Sequence, residues 1–168
     1  ANARRDGVSP QGDELGAKGR MGGDAASAQQ ARLKPAAALA DLAGCDLIVE
    51  AIVENLDVKK KLFAELEGIV QPTAVLATNT SSLSVTAIAA GLKRQQQFAG
   101  YHFFNPVPLM KVVECIAGLK TDPAVCQALA EYARQMGHTP VQAEDTPGFI
   151  VNHAGRGYGT EALRIVSE

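Results

Sequence analysis

The feature that most narrows the possible folds is a repeated alternation of short apolar runs with segments of helical period. Asp46-Leu47-Ile48-Val49-Glu50-Ala51-Ile52 is a brief, mostly apolar run, the pattern of a strand buried on both faces. Leu62, Phe63, Leu66, Ile69 and Val70 then recur at three- and four-residue spacing, which predicts a helix that Pro72 ends. Ala74–Thr78 predicts a second buried strand, Ser84–Leu92 a short helix and Phe98–Phe103 a third strand. Lys111–Ala117 and Thr139–Ala143 add two more strands around a helix over about Pro123–Met136. Strands that alternate with helices imply an α/β fold with a mostly parallel sheet. Asp145-Thr146-Pro147-Gly148 reads as a turn or linker, and Phe149–Val166 as one long helix that opens a second, helical domain.

Residues 1–35 differ from the rest. They are rich in Gly, Ala, Arg and Asp, lack a clean period, and are expected to be flexible apart from a weak helix around Ala25–Leu33. With 46% hydrophobic and 20% charged residues, the 168-residue chain has the composition of a soluble globular protein. A net charge of -2 gives no electrostatic reason to expect a nucleic acid or an anionic membrane as partner. The run Lys59-Lys60-Lys61, between Asp57 and Glu65, reads first as a solvated helix face. No apolar run approaches the roughly 20 residues that cross a bilayer. Cys45, Cys115 and Cys126 are odd in number and widely spaced, which argues against a disulfide framework or a metal site. A reducing, cytoplasmic setting follows as the expectation.

The chemistry is expected where polar residues follow apolar strands, because open α/β sheets bind ligands beyond the carboxyl ends of their strands. Glu54-Asn55 follows the first strand, Asn79-Thr80-Ser81-Ser82 the second, and His102 ends the third. Pro106 and Pro108 force a turn just after His102, a setting that suits either a cleft-facing or a structural imidazole. His138 and His153 have no such setting and read as ordinary. Glu114 is a carboxylate in an otherwise apolar strand, so it lies either on an exposed edge or against a partner. Paired with His102, it would fix the imidazole tautomer and stabilise the imidazolium, making a general base. Gly155-Arg156-Gly157-Tyr158-Gly159-Thr160 approximates a dinucleotide fingerprint but ends in Thr and lies within a predicted helix.

Four blocks together carry a family resemblance: Asp46 to Asn55, Ala77-Thr78-Asn79-Thr80-Ser81-Ser82-Leu83, His102-Phe103-Phe104-Asn105-Pro106 and Pro147-Gly148-Phe149-Ile150-Val151-Asn152. In order and approximate spacing they resemble the L-3-hydroxyacyl-CoA dehydrogenases. The resemblance implies an incomplete Rossmann-type NAD-binding domain over 36–146. It implies a linker and the first helix of a C-terminal helical dimerisation domain over 147–168. It further implies oxidation of an L-3-hydroxyacyl-CoA by NAD+, with an acyl-CoA as substrate and a homodimer as the assembly. His102 would be the base, Glu114 its partner, Ser81 a hydrogen-bond donor to the substrate oxygen, and Asn152 a further holder of the reacting group. Glu54, Lys59 and Asn105 match cofactor-contacting positions, with Ser81 shared between cofactor and substrate; for Lys59 a surface charge is the alternative. Lys18 resembles a CoA-contacting lysine.

The family's opening strand, glycine-rich turn and helix find no match, so the chain is expected to be the central part of a longer enzyme, stand-alone or multifunctional. Two other readings stand beside this one: a related NAD-dependent dehydrogenase of free hydroxy or sugar acids, and a non-catalytic, crystallin-like descendant. Backbone amides at a helix N-terminus supply most pyrophosphate recognition. The polypeptide alone is therefore expected neither to bind NAD tightly nor to turn over, which NADH formation with 3-hydroxybutyryl-CoA checks; clear turnover refutes it.

Overall fold

The computed structural model describes residue 28 and residues 31–167. The chain divides into two compact units, Ala1–Ala43 and Gly44–Glu168. In the first, Ala28, Ala31 and Arg32 are helical; the rest of the helix expected at Ala25–Leu33, other than Leu33 itself, and Lys18 lie outside the described residues. A 3-10 turn follows at Leu39–Leu42, where the Asp41 carboxylate accepts the amides of Ala37 (2.9 Å) and Ala38 (3.1 Å).

The second unit is built on a five-stranded sheet in the order β1-β2-β3-β4-β5. The strands are β1 (Leu47–Glu50), β2 (Val75–Thr78), β3 (Phe98–Phe103), β4 (Val112–Ala117) and β5 (Thr139–Glu144). The helices are α1 (Leu56–Ile69), α2 (Val85–Ala89), α3 (Pro123–Gln135) and α4 (Val151–Ser167). β1, β2 and β3 run parallel, β4 is antiparallel to β3, and β5 is parallel to β4. The reversal has a local cause. The connection 104–111 contains Pro106 and Pro108 but no helix, and only an antiparallel neighbour can be reached without a crossover.

β3 and β4 are buried along most of their length, as continuous apolar runs require in a sheet covered on both faces. β1 departs from that expectation. It ends at Glu50, Val49 is 39% exposed, and Ile52 and Val53 lie beyond it in the open. The reason is position: among the described residues β1 pairs only with β2 and so forms an edge. β5, the other edge, accommodates Pro140, as edge strands can.

Alternation along β3 sorts the two faces. Ala99 and Tyr101 join Ala77, Val113 and Cys115 under α3, whose Val125, Cys126, Leu129, Ala130 and Ala133 complete the main core. On the other face Phe98 meets Phe63 of α1 edge to face at 4.6 Å. Gly100 lies so close to α2 and β4 that an added Cβ would fall 2.8 Å from Ile116 and 3.0 Å from Val85. His102 follows on this same face, so the close approach that glycine allows draws the strands together beside it.

The helices are set by their caps. Asn55 and Asp122 accept the amides of Val58 and Ala124, with Pro123 in the first turn of α3. α2 is shorter than the Ser84–Leu92 expected; Ser84 caps it locally, its hydroxyl accepting the Ala87 amide at 3.1 Å, and a long-range carboxylate reinforces that cap. Asp145, just past β5, accepts Ser84 Oγ, the Val85 amide and the Thr86 amide, each at 2.8 Å. Burial pulls the Asp145 carboxyl up, but the donors on Thr86, Ser84 and Val85 outweigh it and hold it below its usual range. α4 starts later than Phe149 because Gly148 (φ 79°) and Phe149 (φ 50°) both adopt left-handed backbone ahead of it.

A carboxyl lowered by folding stabilises the native state above its unfolded titration, about pH 3.9, and that stability is lost as pH falls through the lower folded value. Asp145→Asn is expected to lose about 1–2 kcal/mol at neutral pH, the range for a lost helix cap. It should also flatten the decline in melting temperature below about pH 4, which thermal melts from acid to neutral pH check.

Candidate active site

β3 and β4 place His102 directly opposite Glu114 in the antiparallel register. Nδ1 of His102 lies 2.8 Å from Oε2 of Glu114, and the two side chains are 4% and 0% exposed. The other carboxylate oxygen is also engaged: Oε1 accepts the amides of Ile150 and Val151, each at 2.9 Å. These amides belong to the N-terminus of α4, where the helix dipole favours an anion. Of the two alternatives for Glu114, an exposed edge and a buried pair, the buried pair is the one observed.

A carboxylate can only accept, so in the neutral ring Nδ1 is the nitrogen that carries the proton and Nε2 the one that keeps its lone pair. Nε2 makes no hydrogen bond to any described residue. The only sealed and unpartnered side-chain nitrogen or oxygen among the described residues is instead Nδ1 of His138. The imidazole is flanked by Phe104 (ring centroids 4.5 Å apart) and Phe149 (5.7 Å). These rings fix its plane and limit water around it while leaving Nε2 as the open acceptor. Such an arrangement can serve as a general base with an oriented tautomer.

Ser81 and Asn152 also meet. Nδ2 of Asn152 donates to the Ser81 carbonyl at 3.4 Å. Asn152 directly follows Val151, whose amide holds Glu114, so both pairs depend on the first turn of α4. Asn79 ties the β2 loop to the end of β3, its Oδ1 accepting the Phe103 amide at 2.8 Å. Asn105 is exposed just beyond β3, and its side chain makes no hydrogen bond to a described residue.

Lys59 corrects the expectation of a solvated helix face. It is 1% exposed, with Nζ 2.6 Å from Glu50 and 3.2 Å from Glu54. The fourth residue of α1 points back toward the end of β1, where two carboxylates hold its enclosed ammonium. Lys60 and Lys61 remain at least partly open. Glu54 accepts the Thr80 hydroxyl, the Ser81 amide (3.0 Å) and the Ser82 hydroxyl (3.4 Å). Burial pulls its carboxyl up, yet Thr80, Ser81 and Lys59 outweigh this and hold it below the usual carboxylate range.

Glu50 escaped sequence reading, although the signal was present: a carboxylate at the end of an apolar strand needs partners as surely as Glu114 does. Thr78 and Asp145 were missed as well, because their roles need the fold. The cysteines are free, and burial together with neighbouring Cys126 pushes the Cys115 thiol up to about 12, which keeps it protonated and unreactive. Among the described residues no cluster of His, Cys, Asp or Glu could hold a metal ion, and no helix is long and apolar enough to cross a membrane.

Fold and site together define an α/β domain with an oriented acid–base pair at the carboxyl ends of its parallel strands, where open sheets hold dinucleotides. A family model, 3-hydroxyacyl-CoA dehydrogenase, NAD binding domain, matches residues 1–146, and the chain belongs to that family. NAD is the cofactor of that domain. The 3-hydroxyadipyl-CoA dehydrogenase of Escherichia coli (strain K12) is 42% identical over 163 residues, which is 97% of this chain and 34% of the relative. The mitochondrial hydroxyacyl-coenzyme A dehydrogenase of Homo sapiens is 48% identical over 120 residues, 71% of this chain and 38% of the relative. The crystal structure of 3-hydroxybutyryl-CoA dehydrogenase from Escherichia coli K12 superposes with a TM-score of 0.96 at 41% identity, covering 99% of this chain and 35% of that one. The chain thus spans well under half the length of these relatives.

Replacing Glu114 by Ala strands His102 Nδ1 and the Ile150 and Val151 amides at once. A buried donor left without its partner costs about 1–3 kcal/mol, so Glu114→Ala is expected to destabilise the fold by at least about that much, which denaturant unfolding checks.

Proposed function

We propose that the whole protein oxidises the 3-hydroxyl of an L-3-hydroxyacyl-CoA to the 3-ketone with NAD+. The observation that carries this reading is the 2.8 Å His102–Glu114 contact with Nε2 left open. The residues present fit the cofactor. The Glu54 side chain is 39% exposed, and Ser81 and Asn105 are exposed at the ends of the parallel strands.

In this reading NAD, when bound, supplies the hydride acceptor. His102 Nε2 takes the hydroxyl proton, and the imidazolium that results is balanced by Glu114, whose second oxygen is already committed to the α4 amides. The Ser81 hydroxyl donates to the substrate oxygen, and Asn152 holds the reacting group beside it. Glu54, Asn105 and Ser81 face the cofactor, with Lys59 behind Glu54. Phe104 and Phe149 keep bulk water from competing for the proton. Lys18 toward the CoA moiety belongs to the same proposal and rests on the family resemblance alone.

The family match favours this reading over a dehydrogenase of free acids or a structural protein. A homodimer is part of it, supported by the apolar residues that α4 exposes, Tyr158, Leu163, Ile165 and Val166. So are a domain division at about residues 35 and 147 and a cytoplasmic setting, the latter supported by free cysteines.

His102→Ala is expected to lower kcat by about 10²–10⁴-fold while leaving the affinity for NAD within about twofold. NADH formation by the whole protein with 3-hydroxybutyryl-CoA, against free 3-hydroxybutyrate, tests the assignment. Equal activity on the free acid, or none on the thioester, overturns it.

A further inference from the structure

We propose that Glu50 is a positioning residue for the cofactor side of the site, acting through Lys59 and Thr78 on the loop Thr80–Ser82. The proposal rests on the functional reading above and adds a residue to it.

Glu50 sits at the last position of β1 with its side chain 1% exposed. An enclosed carboxylate is costly unless its oxygens are filled, and here they are. Oε1 takes the Lys59 ammonium and the Ile52 amide, each at 2.6 Å, and Oε2 takes the Thr78 hydroxyl at 2.8 Å. Nothing in the proton transfer uses this group.

Two routes lead from it to the loop. In the shorter, the Thr78 oxygen that donates to Glu50 accepts the Thr80 amide at 3.3 Å. In the longer, Lys59 lies between Glu50 and Glu54 and is closer to Glu50, at 2.6 Å against 3.2 Å. That imbalance is the central point. Because Glu50 holds the ammonium, Glu54 gives it only Oε2 and keeps Oε1 for Thr80, Ser81 and Ser82. With Glu50 neutral, Lys59 has one anion left and, cut off from water, closes on Glu54. The Glu54 carboxylate is then drawn off the loop that carries Ser81 and receives Asn152. Two carboxylates around one ammonium thus form a balance, with the loop on one arm.

A role confined to plugging the end of β1 predicts only lower stability. The two are separated in the whole protein by comparing Glu50→Gln with Leu129→Ala, a core change on the opposite, α3 face. Amide hydrogen exchange at Ser81 and Ser82 is read alongside melting temperature, kcat and KM for NAD. Glu50→Gln is expected to speed exchange at both amides about tenfold beyond Leu129→Ala at matched loss of melting temperature. It should also raise KM for NAD about tenfold, with kcat changing less, the effect of roughly one lost hydrogen bond. Exchange at Ser81 and Ser82 no faster than in Leu129→Ala overturns the proposal. If Glu50→Gln does not fold, Glu50→Asp, which keeps the charge and withdraws it by one methylene, is read by the same comparison. If the unaltered protein does not respond to NAD, the functional reading fails while the exchange comparison still decides the role of Glu50.

Discussion

A single fully enclosed carboxylate, that of Glu114, governs the arrangement of the site. A negative charge removed from water must find donors, and those that Glu114 finds come from separate stretches of chain. The imidazole of His102 satisfies one oxygen and the first amides of α4 satisfy the other. A one-residue shift of register between β3 and β4 would put the imidazole on the wrong face, and a two-residue shift would carry it past Glu114. Any displacement of α4 would uncover Oε1. The side chain that orients the base therefore also fastens the helix that carries Asn152.

A division of labour between the two faces of the sheet surrounds this pair. Under α3 the packing is aliphatic and thiol, and even Tyr101 is enclosed, its hydroxyl donating to the Leu129 carbonyl at 3.0 Å. The opposite face and the strand ends carry the chemistry. Strand alternation makes the separation possible, since Phe98, Gly100 and His102 share one side while Ala99, Tyr101 and Phe103 share the other. Charges gather where β1 and β2 end, with Glu50, Glu54 and Lys59 behind the β2 loop, while Asp145 lies over α2 at the opposite end, because β5 runs the other way.

Much of this was legible from residues alone. Apolar runs of strand length between amphipathic segments located all five strands, most clearly β3 and β4, where burial on both faces leaves no polar alternation to obscure them. A charged residue inside such a run, as at Glu114, points to a partner, and the prolines after His102 mark where one strand stops. What stayed hidden depends on direction and distance. The reversal of β4 is encoded by a connection that lacks a helix, which shows only once the strands are paired. Lys59 looked like one of three solvated lysines because helical phase is invisible without the strand it points toward. The cap from Asp145 to α2 spans some sixty positions, and no local pattern announces a bond of that reach.

The dependence of Glu114 on α4 also orders events in time. On a nascent chain the strand pair containing His102 and Glu114 is synthesised before Ile150 and Val151. Until those two peptide groups arrive, the carboxylate must stay hydrated, and its strand cannot seal. The pair of His102 and Glu114 is thus completed only when the first turn of α4 joins the fold.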